Sequence, residues 1–195
     1  MFNRTLITTV LVGAGIAISS GIGVAGSCPG QMFSAKNETS APTTVAVTDI
    51  SAFLSAAPWS EGVRVAAHQK GGEVWLDVTE FPSKVTAAAA ARTAWLIGRV
   101  IDSDAGSVVF SDGGEGVFQI KLGILKNIGC RFVVGEQAGE NPIALMREFY
   151  DAVTHYDTGA RVAPTFTGSL LGDTNAALMT NNEVFVPKWV LSAVK

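Results

Sequence analysis

The sequence has no run of Lys and Arg. Its 14 basic residues are scattered over 195 positions and the net charge is −3. A phosphate backbone is bound through a concentrated positive stripe, so nucleic acid is not expected as a partner. The two cysteines, Cys28 and Cys130, and the two histidines, His68 and His155, stand far apart in sequence, without the paired Cys/His spacing of a zinc site, and no metal or cofactor is expected. Asp102, Asp104 and Gly106 lack the further oxygen ligands and distal Glu of a calcium loop. HExxH, Gly-x-Ser-x-Gly and the P-loop are all missing. No catalytic residue is assigned on these grounds.

Charge is also missing from the start of the chain, where Arg4 is the only charged residue before Lys36. A basic beginning, the apolar run Leu6 to Ile18 and a small-residue exit form an export signal. The apolar run partitions into the membrane while the basic end stays on the cytoplasmic side. Ala25-Gly26-Ser27-Cys28 resembles the bacterial lipobox, with Ala25 where Leu is usual, and makes Cys28 the candidate for lipidation. Two alternatives stay open. An ordinary signal peptidase could cut near Ala25 or Ser27. Or the segment is uncut, since Leu6 to Gly26 is 21 uncharged residues, long enough to span a bilayer. Val12 to Ile18 superficially resembles a dinucleotide fingerprint, but Ile18 stands where a small residue is needed and no βαβ unit follows.

Residues 1–28 are therefore read as export signal or membrane anchor. Residues 29–44, rich in Ser, Thr and Pro, are read as a flexible linker. Residues 45–195 are read as one domain, with a loop-rich segment over 158–182. The remainder after the leader, on the order of 170 residues, can bury a sizeable core.

Within the domain, Ile50, Phe53 and Leu54 mark a short helix. Val63 to His68 and Val74 to Thr79 alternate about Lys70-Gly71-Gly72, a hairpin. Lys84 to Ile101 predicts the longest helix. A second hairpin flanks residues 111–116, and Leu122 to Ile128 predicts a short helix closed by Gly129. A strand is expected over Cys130 to Val134. Pro142 then opens a helix with a buried stripe of Ile143, Met146, Phe149, Tyr150 and Val153, and His155 falls in its last turn. The apolar end Val184 to Leu191 is expected in the core. The implied class is α+β: an antiparallel sheet of about five strands, with a long central helix and a second, C-terminal helix packed on one face.

Candidate sites are few. The loop over residues 135–141 runs into a helix N-terminus, so Glu136, Gln137, Glu140 and Asn141 are candidate binding residues. Cys130 shares its expected strand face with Phe132 and Val134 and is read as a buried, inert thiol. A disulfide to Cys28 or a reactive thiol are the other readings. His68 is expected at the surface. Together these features predict an exported, membrane-tethered bacterial envelope protein with a non-enzymatic binding or assembly role. It would contact the membrane through its N-terminus, with another envelope protein as the candidate partner. A small-ligand sensor, or a secreted hydrolase using Cys130 or Glu136 and Glu140 with a histidine, are the alternatives.

Overall fold

The computed structural model describes residues 44–57, 60–138 and 142–195, with backbone only for 133–138. The expected export segment, most of the expected linker, Glu140 and Asn141 thus lie outside the described residues.

Strand β1 (Val45–Ala46) leads into helix α1 (Ile50–Ala56), followed by β2 (Arg64–Lys70) and β3 (Glu73–Glu80). Helix α2 (Ala88–Val100) and β4 (Ile101–Asp102) come next, then β5 (Ser107–Asp112) and β6 (Glu115–Lys121). Helices α3 (Leu122–Ala138) and α4 (Pro142–Ala152) precede β7 (Thr154–His155), and α5 (Leu170–Met179) continues through a π turn, Thr180–Phe185, into α6 (Val186–Trp189). The class is α+β. The main sheet has the order β2-β3-β5-β6-β7, and β1 pairs separately with β4.

Both hairpins form where the alternation places them. Val65 lies opposite Val78, and Val108 opposite Ile120. Each turn needs two residues with positive φ, which Gly71 and Gly72 supply in one and Gly113 and Gly114 in the other. The sheet is mixed, however, and not antiparallel throughout. β3 and β5 run parallel, Glu73 opposite Ser107 and Asp77 opposite Ser111. The chain leaves β3, returns through α2 to the starting end of the sheet, and so enters β5 in the same direction.

Helix α2 has 13 residues rather than the longer span expected over 84–101. Residues 82–85 form a turn in which the Val85 N–H donates to the Pro82 carbonyl at 2.9 Å, and the helix begins only at Ala88. The longer helix is α3, with 17 residues. It runs through Gly129 and absorbs the expected strand Cys130 to Val134. Gly129 does not stop the helix; it is where α3 meets α2. A β-carbon there would collide with the Trp95 carbonyl oxygen and lie 2.7 Å from the Arg99 nitrogen. One on Gly98 would lie 2.6 Å from Leu125. The fifth strand of the sheet is β7, so His155 sits in a strand, opposite Phe118. In α4 the buried stripe is Leu145, Met146, Phe149 and Tyr150, while Ile143 is exposed.

The segment over 158–182 is more ordered than its composition suggests. Ser169 caps α5, its hydroxyl accepting from the Gly172 N–H at 3.2 Å. The Asp173 carboxylate is buried. It accepts from the Thr167 and Gly168 N–H groups, both at 2.8 Å, from the Thr167 hydroxyl, and from the Arg147 guanidinium at 2.9 Å. One carboxylate therefore folds the preceding loop and ties it to α4. These donors, the Thr167 N–H foremost, hold the Asp173 carboxyl below the usual carboxylate range. A depressed folded-state pKa means that the stabilisation is present above the unfolded pKa, about 4, and is lost as pH falls through the lower folded value. Asp173→Asn is expected to lower the melting temperature at pH 7 and to flatten the acid limb below about pH 4. Parallel thermal melts across pH would refute this if the two curves stayed superimposable.

The C-terminal end enters the core as expected. Phe185, Trp189 and Val190 are buried, whereas Leu191 stays exposed. Beyond them the backbone zips to the end of β3: Phe81 N–H to Ala193 carbonyl at 2.9 Å, and Lys195 N–H to Phe81 carbonyl at 3.2 Å.

Candidate functional site

The hairpin registers assemble a polar surface on the sheet. One rung crosses all five strands: His68, Trp75, Val109, Gln119 and Thr154. The neighbouring rung is Lys70, Glu73, Ser107 and Lys121. Glu73 is the hub between them. Its carboxylate accepts from Trp75 Nε1 at 3.3 Å, Tyr156 Oη at 3.2 Å and Ser107 Oγ at 3.3 Å. Burial, and then the Glu73 carboxylate beside it, push the Tyr156 phenol above its ordinary pKa. Tyr156 therefore remains a protonated donor at neutral pH. Its ring packs edge-on to Trp75 at 5.3 Å, and Lys70 lies over the Trp75 ring at 4.5 Å. With three donors engaged, Glu73 works as a brace between strands.

Beside this brace the sheet opens into a cleft of about 430 Å³. Strand β7 pairs with β6 only at Phe118 and Gln119, so Ile120 and Lys121 extend past the last rung of that pair. The cleft fills the gap. Ser107, Gln119, Lys121 and Thr154 offer hydroxyl, amide and ammonium groups, and Ile124 and Ala152 supply apolar wall. The set can hydrogen-bond a small polar or anionic molecule, and its lining residues include no histidine or carboxylate to move a proton.

A second surface lies on α5. Leu171 is 83% exposed, Leu170 64%, Met179 46% and Leu178 41%. Leu171 and Leu178 are seven residues apart and share a helix face, while Asp173 and Ala177 turn inward. The helix shows its apolar side chains to solvent.

The candidates read from the sequence come out differently. Glu136 and Gln137 belong to the last turns of α3, not to a loop leading into a helix. Glu140, Asn141 and the lipidation candidate Cys28 lie outside the described residues. Cys130 is half-buried and disulfide-bonded. This corrects the buried-thiol reading and removes the nucleophile, because a disulfide sulfur carries no thiolate. The strand face that Cys130 was to share with Phe132 does not exist, since residues two apart on a helix point about 200° apart. His68 is exposed, stacked on Trp75 at 6.1 Å. His155 lies on the fifth strand, four spacings or about 19 Å across the sheet, so the two histidines do not meet. Among the described residues no group of three or more His, Cys, Asp and Glu side chains could hold a metal ion, and no helix is long and apolar enough to cross a membrane.

Ser107, Gln119, Lys121 and Thr154 were not legible as a site. The second hairpin pattern carries the first three, but Thr154 arrives through a two-residue strand that no alternation announces. No family model, no curated protein and no solved structure matches this chain.

Proposed function

We propose that this is an exported cell-envelope protein, held at the membrane by its N-terminal segment, with a non-enzymatic binding or assembly role. The observation that carries the binding role is the apolar ridge of α5. Four large side chains on one short helix, Leu170, Leu171, Leu178 and Met179, are left in solvent although the domain has a well-filled core beneath them. Soluble surfaces rarely keep contiguous apolar patches without a partner to cover them. The export segment and the Ser/Thr/Pro linker support the location.

The test is site-specific photocrosslinking from position 171 in intact cells, followed by separation of envelope and cytosol. A discrete adduct in the envelope fraction is expected. It should disappear in the double variant Leu171→Glu, Leu178→Glu, with the melting temperature unchanged. A monomer that crosslinks to nothing, or that resides in the cytosol, overturns the reading. The cleft beside Ser107 and Lys121 favours a second reading, a small-ligand sensor. A ligand-dependent rise in melting temperature that is lost in Gln119→Leu would support it.

A further inference from the structure

Strand β6 outruns its neighbour β7, and a backbone donor is left over where it does. The Tyr156 N–H donates to the Val117 carbonyl at 3.0 Å, and the Leu122 N–H to the Gly106 carbonyl at 3.1 Å. Bonding groups alternate from side to side along a strand. Those of Val117, Gln119 and Lys121 therefore turn toward β7, and those of Phe118, Ile120 and Leu122 toward β5. Gln119 meets Thr154 on the β7 side. Two residues on, the register would set Ala152 opposite Lys121, but Ala152 closes helix α4 and forms no rung. Among the described residues no backbone carbonyl accepts from the Lys121 N–H. It points into the cleft of about 430 Å³ that Gln119, Lys121, Ala152 and Thr154 help to line.

The side chains around that donor favour a negative group. Lys121 is exposed, and no carboxylate pairs with its ammonium among the described residues. Gln119 and Thr154 stand side by side on the adjoining rung. The Ser107 hydroxyl donates its one proton to Glu73 at 3.3 Å, so the donors toward the cleft come from Lys121, Gln119 and Thr154. No acidic side chain lines it, and Ile120, Ile124 and Ala152 make one wall apolar.

We propose that this cleft binds a short-chain carboxylic acid as its anion. The carboxylate takes the Lys121 N–H and the Lys121 ammonium together, with the Gln119 amide or the Thr154 hydroxyl as a further donor. The hydrocarbon tail lies against Ile124 and Ala152. Hydrogen bonds to an ionised acceptor are roughly twice as strong as neutral ones. An inorganic anion leaves the apolar wall unused, and a neutral alcohol leaves the ammonium unused. The proposal deepens the sensor reading of this cleft and rests on it.

The test titrates the isotope-labelled full chain at neutral pH with butanoate, butanol, butylamine and inorganic phosphate. Backbone amide shifts and the melting temperature are read for each probe. Butanoate should move the Lys121 amide proton downfield and raise the melting temperature. Lys121→Gln should weaken butanoate binding about tenfold or more. Because Lys121 is exposed, that variant should melt with the parent when no probe is present. Phosphate binding as tightly as butanoate would overturn the role of the tail. Butanol or butylamine binding as tightly as butanoate, and lost in Gln119→Leu, would overturn the carboxylate class and leave the sensor reading standing. Butanoate that leaves the Lys121 amide unmoved would overturn the proposal as a whole.

Discussion

Gly129→Ala is expected to destabilise the domain, although alanine is the better helix former. In an exposed helix interior the exchange gains about 1 kcal/mol. Here the new methyl group meets the Trp95 carbonyl oxygen and the Arg99 backbone, on the opposing helix. Neither is the tip of a flexible side chain, so α3 has to move away from α2. Overpacking of this kind costs about 1–3 kcal/mol, occasionally more, and the gain in propensity offsets only part of it. Gly129→Val adds a second clash and a β-branched side chain, and should lose more. Gly123→Ala provides the contrast within the same helix. Nothing lies within 4 Å of its would-be β-carbon, so it should be neutral or stabilising by up to about 1 kcal/mol. Urea denaturation reads both as shifts in midpoint at constant slope. If Gly129→Ala were as stable as the parent, the tight crossing of α2 and α3 would be wrong.

Phe185→Ala should have the largest effect of any single truncation proposed. Phe185 is fully buried, and its ring contacts Phe110, Phe118, Phe149, Tyr150 and Trp189 at centroid distances of 5.1–5.6 Å. Those five rings come from β5, β6, α4 and α6. Removing the shared neighbour opens a cavity between all five of them. Buried Phe→Ala changes cost about 3–5 kcal/mol, against a total stability of about 5–15 kcal/mol. The melting temperature should fall by roughly 6–20 °C. Leu191→Ala, a truncation of similar chemistry on a side chain in solvent, should stay within about 0.5 kcal/mol. Equal effects for the two variants would show that the C-terminal end does not complete the core.

The contrast between these two sites shows what the sequence could and could not disclose. Alternation about Gly71-Gly72 and Gly113-Gly114 specifies two hairpins, because period-two burial and positive-φ turns are local facts. The direction of β5 relative to β3 is not local; it follows from where α2 deposits the chain. Gly129 reads as a helix stop when only neighbours in sequence are considered, and becomes a crossing point only when α2 is present. The run Cys130 to Val134 is β-branched and aromatic enough to pass for a strand, and packing against α2 overrides that propensity. Helix α5 escaped notice for the opposite reason. Its apolar residues face water, so the usual buried stripe is absent and its Gly, Thr and Asn content reads as loop. The cleft depends on β7, two residues long, and on the gap left where β7 departs from β6. The Glu73 brace joins residues from β3, β5 and the turn at Tyr156, contacts spanning up to 83 positions, beyond the reach of any motif.

The placement of the aromatic hub also orders events in time. Strands β3, β5 and β6 are synthesised long before Phe185 and Trp189. Until those residues emerge, Phe110 and Phe118 lack a cover, the Leu76 carbonyl lacks the Trp189 indole that donates to it at 3.1 Å, and Phe81 lacks the backbone partners at Ala193 and Lys195. The nascent domain therefore has no finished core to close around until its C-terminal helix emerges. If the chain is exported as proposed above, late closure by the C-terminal helix keeps it threadable through a membrane.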